Sequence, residues 1–131
     1  MCPYDINIFS PNYMADVNNL VPKLKTLMNK FLVECKKQGI DLIVTQGFRS
    51  TLEQNALYAQ GRTMPGKIVT NAKWGQSAHN FGKAFDICFL INKQASYNGD
   101  WAKVGAIGIK LGLIWGGSWK SFPDKPHFEI K

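Results

Sequence analysis

Only two histidines occur in this chain of 131 residues, and each stands near a carboxylate in a glycine- or proline-bearing segment. His79 and Asp86 lie in Ser77-Ala78-His79-Asn80-Phe81-Gly82-Lys83-Ala84-Phe85-Asp86, and His127 closes Asp124-Lys125-Pro126-His127. Two imidazoles and one aspartate amount to three protein ligands, the number a catalytic zinc takes when its fourth position is left to water. A second carboxylate, Asp124, would then be free to act as a base. Such a site constrains the fold, because His79 would reach the ion from a loop, Asp86 from the start of a strand and His127 from a strand near the C-terminal end. Gly82 weakens any helix between His79 and Asp86, and their separation is not that of two ligands on one helical turn. Bland readings stand beside this one. A single histidine is more often a hydrogen-bonding residue than a ligand, and Asp124 in Phe122-Pro123-Asp124-Lys125-Pro126 also reads as a turn aspartate. Pro126 biases Lys125 to an extended conformation, which lets Asp124 and His127 reach one small volume.

The rest of the composition narrows the class. The length suits one domain, residues 1–131, burying roughly two thirds of its unfolded surface. A hydrophobic fraction of 45% with 19% charged residues excludes disorder and coiled coil. Sixteen Lys and Arg against nine Asp and Glu leave a net charge of +7, which favours polyanionic surroundings such as nucleic acid, anionic lipid or a bacterial wall. The lysines are scattered, and no nucleic-acid-binding motif accompanies them, so no nucleic-acid partner is expected. Three widely spaced cysteines, Cys2, Cys35 and Cys88, argue against a disulfide framework and for synthesis in a reducing compartment. Met1-Cys2-Pro3-Tyr4-Asp5-Ile6-Asn7 lacks the basic and apolar regions of a signal peptide, and no run reaches the ~18 apolar residues of a membrane span. A protein made in the cytoplasm without membrane attachment, and a monomer, are the expectations.

From Val17 the apolar positions Leu20, Val21, Leu24, Leu27, Met28, Phe31, Leu32 and Cys35 follow helical spacing, with Gly39 as the C-terminal cap and a start near Asn18 or Asn19 forced by Pro22. Residues 40–45 read as a strand that runs on to Arg49, and Ser50-Thr51-Leu52-Glu53 as a capping box opening a second helix that stops at Gly61. Residues 62–76 form a polar loop. Residues 85–91 alternate as a strand, with Phe85, Ile87, Phe89 and Ile91 on one face and Asp86, Cys88 and Leu90 on the other. Asp100 caps a helix over 101–111 ended by Gly112, and 113–115 and 127–130 are short strands. This order gives an α+β fold, with helices packed on a small, largely antiparallel sheet.

Taken together, Gly47-Phe48-Arg49-Ser50, the run from Gln54 through Tyr58 to Gly61-Arg62-Thr63, Ser77-x-His79-x-x-Gly82-x-Ala84-x-Asp86, Trp115-Gly116-Gly117 and Asp124-Lys125-Pro126-His127-Phe128-Glu129 resemble the VanY-like zinc peptidases. The likeness is strongest to the L-alanyl-D-glutamate endopeptidases used as phage endolysins, and it spans about residues 20 to 130. It implies the fold shared by D-Ala-D-Ala peptidases and the hedgehog signalling domain, a Zn2+ cofactor, and bacterial peptidoglycan as substrate. It also implies an enzyme stored in the host cytoplasm until it is released onto the wall. Position by position, His79, Asp86 and His127 match the zinc ligands, Asp124 the catalytic carboxylate, Arg49 the cation that polarises the substrate carbonyl, and Ser77 a residue near the substrate. Gln54, Tyr58 and Arg62 belong to the same pattern and read as mainly structural. Ser118 departs from it, since relatives often carry an acidic residue there.

Trp74, Trp115 and Trp119 could wall a groove or serve as core and rim packing. Trp115 is placed with Arg49 and Ser77 in the substrate-binding set. Cys88 could compete as a soft ligand but reads as buried filling. Two rival readings remain: a D-Ala-D-Ala carboxypeptidase of wall remodelling, and a non-catalytic wall-binding module. Asp124 and Arg49 argue against the module, because a structural metal needs neither.

Overall fold

Helix α1, Pro22–Lys37, lays Leu24, Met28, Phe31 and Cys35 against the core, and it begins later than its apolar spacing suggests. Pro22 is the first helical residue and Val21 the N-cap, because a proline costs nothing where the N–H has no helical partner. Asn18 and Asn19 instead form a turn, with the Asn19 amides donating to the Asp16 carboxylate. The structure is a computed structural model that describes residues 15–131. The N-terminal segment read for a signal peptide, including Cys2, lies outside the described residues.

Strand β1, Leu42–Gln46, leads into helix α2, Thr51–Ala59, which opens with the expected reciprocal bonds between Ser50 and Glu53. The loop that follows ends in a 3-10 turn, Ala78–Phe81, and the chain then enters β2, Ala84–Ile91. A strand that alternation did not reveal, β3, Gln94–Ser96, pairs with the end of β2. Asn92 and Lys93 join them with φ of 52° and 63°, the double left-handed conformation that suits the twist of a two-residue hairpin. Helix α3, Trp101–Lys110, has Asp100 accepting from the Lys103 amide at 3.0 Å. Strand β4, Ile114–Trp115, a 3-10 turn at Gly116–Ser118 and β5, His127–Glu129, complete the order.

The strand pairings within the sheet are antiparallel, in the order β1-β2-β5-β4 with β3 also on β2. Phe85, Ile87, Phe89 and Phe128 share a core with α1 and α3. Phe31 meets Phe128 at 4.7 Å and Phe85 at 5.9 Å between ring centroids. Strand periodicity therefore sends Asp86 and His127 to the opposite face, where the register sets them side by side. The β1–β2 register slips between Val44 and Gln46, a bulge that re-aims the chain as it leaves the sheet toward Arg49. Among the described residues, no helix is long and apolar enough to cross a membrane.

Helix α3 approaches the sheet through glycine. A Cβ at Gly108 would stand 2.6 Å from the Phe128 ring, and Phe128 is fully buried. Gly108→Ala is therefore expected to destabilise the fold by about 1–2 kcal/mol, the overpacking cost exceeding the helix-propensity gain. Denaturant unfolding would measure it.

Candidate metal centre

The chain folds so that three buried acceptors meet. Ser77 caps the 3-10 turn, its hydroxyl accepting from the His79 amide at 3.3 Å, while the Asn80 side chain accepts from the Ser77 and Gly75 amides. Gly82 ends the turn at φ +67°, with Asn19 O only 2.5 Å from where a Cβ would stand. His79 is thereby turned over the start of β2, where Asp86 faces His127 across the sheet. His79, Asp86 and His127 are 2%, 3% and 6% exposed. Asp86 Oδ1 lies 3.2 Å from His79 Nε2 and 3.1 Å from His127 Nδ1, and one donor atom from each residue falls within 4.8 Å of the others.

The outer nitrogens orient the rings. His79 Nδ1 is 2.8 Å from the Gly47 carbonyl, and His127 Nε2 is 2.7 Å from Glu129 Oε1. With each outer N–H donating to the oxygen behind it, a neutral ring turns a lone pair inward. Two nitrogen lone pairs and a carboxylate oxygen converge on one place, an arrangement that demands a proton or a cation between them. Two imidazoles and a carboxylate, each imidazole oriented by an acceptor behind it, form a donor set that fits zinc.

In the metal-free protein protons take that place. Burial alone would raise the Asp86 carboxyl, but the His79 charge and the hydrogen bonds from both rings overcome it and hold Asp86 well below the usual carboxylate range. Burial would lower His127, yet its bonds to Asp86 and Glu129 outweigh that and push it up to about 9. Asp124 is raised, first by burial and then by the charge of Asp86.

The triad opens into a cleft of about 500 Å³ that Arg49, Ser77 and Asp124 also line. Arg49 is 5% exposed. Its Nη1 donates to Gln54 Oε1 at 2.9 Å, and its backbone is pinned by the His79 carbonyl and the Asn80 side chain. Gln54, fully buried, donates in turn to the Ala72 carbonyl at 2.6 Å, which ties the cleft wall at 70–72 to the arginine. Asp124 is held by its backbone: its amide donates to the Gly116 carbonyl at 2.9 Å. A Cβ on Gly116 would meet Asp124 O at 2.4 Å, so only glycine permits this approach.

Of the residues expected from sequence, His79, Asp86, His127, Asp124, Arg49 and Ser77 meet at one cleft. Trp115 does not line it. Its indole packs over Gly105 and Gly117, and its Nε1 donates to Lys125 O at 2.8 Å, so it braces the segment before His127. Trp119 is the tryptophan that reaches the cleft, its ring 5.1 Å from that of His127. Cys88 is buried, and the ligand cluster among the described residues does not include it. Sequence reasoning missed Gly47 O and Glu129 as the groups behind the histidines. Strand alternation carried a signal for Glu129, two residues from His127 on the same face.

A family model described as D-alanyl-D-alanine carboxypeptidase matches residues 70–130. The peptidoglycan L-alanyl-D-glutamate endopeptidase CwlK of Bacillus subtilis is 39% identical over 135 residues, covering 92% of this chain and 81% of that protein. The L-alanyl-D-glutamate peptidase of Listeria phage A118 is 28% identical over 89% of this chain, which spans 40% of that protein's length. Among solved structures, the vancomycin resistance D,D-pentapeptidase VanY in complex with Zn(II) superposes with a TM-score of 0.64 at 15% identity, covering 85% of this chain and 72% of that one. That likeness speaks to the fold, which agrees with the D-Ala-D-Ala peptidase architecture the motifs imply.

Proposed function

The chain belongs to the VanY-like zinc peptidases and is a metallopeptidase, and from that premise we propose that it cuts the L-alanyl-D-glutamate bond of peptidoglycan stem peptides. In this reading residues 1–131 act as one zinc peptidase catalytic domain. The observation that carries it is the convergence of His79, Asp86 and His127 in a cleft that also holds the half-buried Asp124 carboxylate and a buried guanidinium. His79 through Nε2, His127 through Nδ1 and Asp86 through its carboxylate would hold the zinc. Zinc bound there supplies Lewis acidity, lowering the pKa of water to about 7.

The chain's own groups do the rest. Asp124 takes a proton from the water that attacks the scissile carbonyl carbon and passes it to the leaving amine as the C–N bond breaks. Burial suits it to both roles, since a raised carboxyl holds a proton more readily. Arg49, held by Gln54, donates to the carbonyl oxygen as negative charge develops, with a planar fork that lysine lacks. Ser77 borders the substrate from the cap of the turn that carries His79. The identity to CwlK supports the bond assignment, and the phage relative supports a bacteriolytic role of the endolysin type, exerted on the host wall after release.

The description of the matching family model favours a second reading, removal of a terminal D-alanine. Digestion of purified peptidoglycan followed by mass spectrometry separates the two. New D-glutamate amino termini that vanish with chelator and return with zinc are expected. Free D-alanine would select the carboxypeptidase, and no cleavage would reject both.

A further inference from the structure

The segment between Gly116 and Asp124 is a small closed excursion at the cleft mouth. The Gly116 carbonyl accepts from the amides of both Trp119, at 3.2 Å, and Asp124, at 2.9 Å, so the chain leaves and returns to one point. At its tip Phe122 adopts φ +61°, a left-handed conformation in which a bulky side chain is an outlier. Pro123 follows it, and a proline favours extended rather than compact geometry in the residue before it. The ring gains little burial in exchange, being 60% exposed. Glycine or asparagine would serve the turn better, and neither backbone sterics nor the hydrophobic effect accounts for phenylalanine. Strain of this kind collects where a site uses the side chain, and Phe122 lines the catalytic cleft with Trp119, two residues before Asp124. Val69 and Thr70 stand on the same cleft's wall.

We propose that Phe122 is a substrate-contacting residue that determines specificity, its ring covering a C–H-rich face of the ligand beside the scissile bond. This rests on the peptidoglycan reading above. Two parts of that substrate offer such a face: the pyranose ring that carries the stem peptide, and the alkyl chain of the residue after D-glutamate.

The test compares wild type with Phe122→Gly, Phe122→Asn and Phe122→Tyr, all zinc-loaded, on a free stem tetrapeptide and on the same peptide attached to its disaccharide. The glycine and asparagine variants are expected to melt within about 2 °C of wild type or above it. Their KM rises about tenfold with kcat little changed, and tyrosine restores KM. A rise confined to the disaccharide substrate assigns the ring to the sugar, and a rise on both substrates assigns it to the alkyl chain. An unchanged KM on both substrates overturns the proposal, as does a loss of several degrees in both variants without a change in KM, which marks a packing residue. A wild-type enzyme that cuts neither substrate overturns the wall-hydrolase reading, and the role of the ring with it.

Discussion

Asp124→Asn is expected to fold, to bind metal, and to hydrolyse peptidoglycan on the order of a thousandfold more slowly. The substitution keeps the shape and removes the capacity to carry a proton. What holds residue 124 in place is main chain: its amide on the Gly116 carbonyl, and its own carbonyl accepting from the His127 amide at 3.2 Å. An asparagine preserves both bonds. It also keeps the three inward-facing donor atoms of His79, Asp86 and His127, because the Asp124 charge is the last of the influences acting on His127. Activity and metal content should therefore separate, which a structural role for Asp124 would not produce. The measurement is kcat/KM on wall fragments beside metal stoichiometry from elemental analysis. A variant within tenfold of wild-type activity would move the base elsewhere.

The sequence was most legible where chemistry and periodicity pointed the same way. Alternation in residues 85–91 put Asp86 opposite the phenylalanines, and the structure has Phe85, Ile87 and Phe89 in the core while Asp86 meets His127. The Ser50–Glu53 capping box and the Asp100 cap carry their bonds in their own side chains, so they too could be read directly. What stayed hidden depended on backbone geometry or on partners distant in the chain. Strand β3 is three residues long, and its turn uses Asn92-Lys93 rather than an Asn-Gly pair. A start of α1 near Asn18 or Asn19 treats Pro22 as a residue inside the first turn, whereas Pro22 is itself the first helical residue and Leu20 is buried from the turn before it. Trp115 and Trp119 are indistinguishable by residue type; only the closed path from Gly116 decides which one faces the cleft. The Gly47 carbonyl behind His79 is a backbone group delivered by the bulge at the end of β1, and no side-chain motif encodes it.

The metal itself gives the other large effect. Asp86→Ala should abolish stoichiometric zinc binding and reduce hydrolysis to background, since Asp86 Oδ1 is the atom both histidines share. The loss should exceed the roughly 10–100-fold in affinity that follows removal of a partner behind a ligand. Proton competition gives this site a defined pH dependence. In chelator-treated protein His127 is raised from 6.5 to about 9. Its contribution to stability is thus fully present below pH 6.5 and is lost as pH rises through 9. Zinc must displace that proton, so its apparent affinity rises by about tenfold per pH unit over this window and then levels. The metal-free protein weakens where the zinc complex tightens, and the gain in Tm on adding zinc should accordingly be larger at pH 9 than at pH 6.5. Thermal melts with and without zinc at these two values, on wild type and Asp86→Ala, check both statements. A zinc-dependent rise in the alanine variant equal to that of wild type would remove Asp86 from the ligand set, and a rise in wild type independent of pH would mean that no proton leaves His127 when zinc binds.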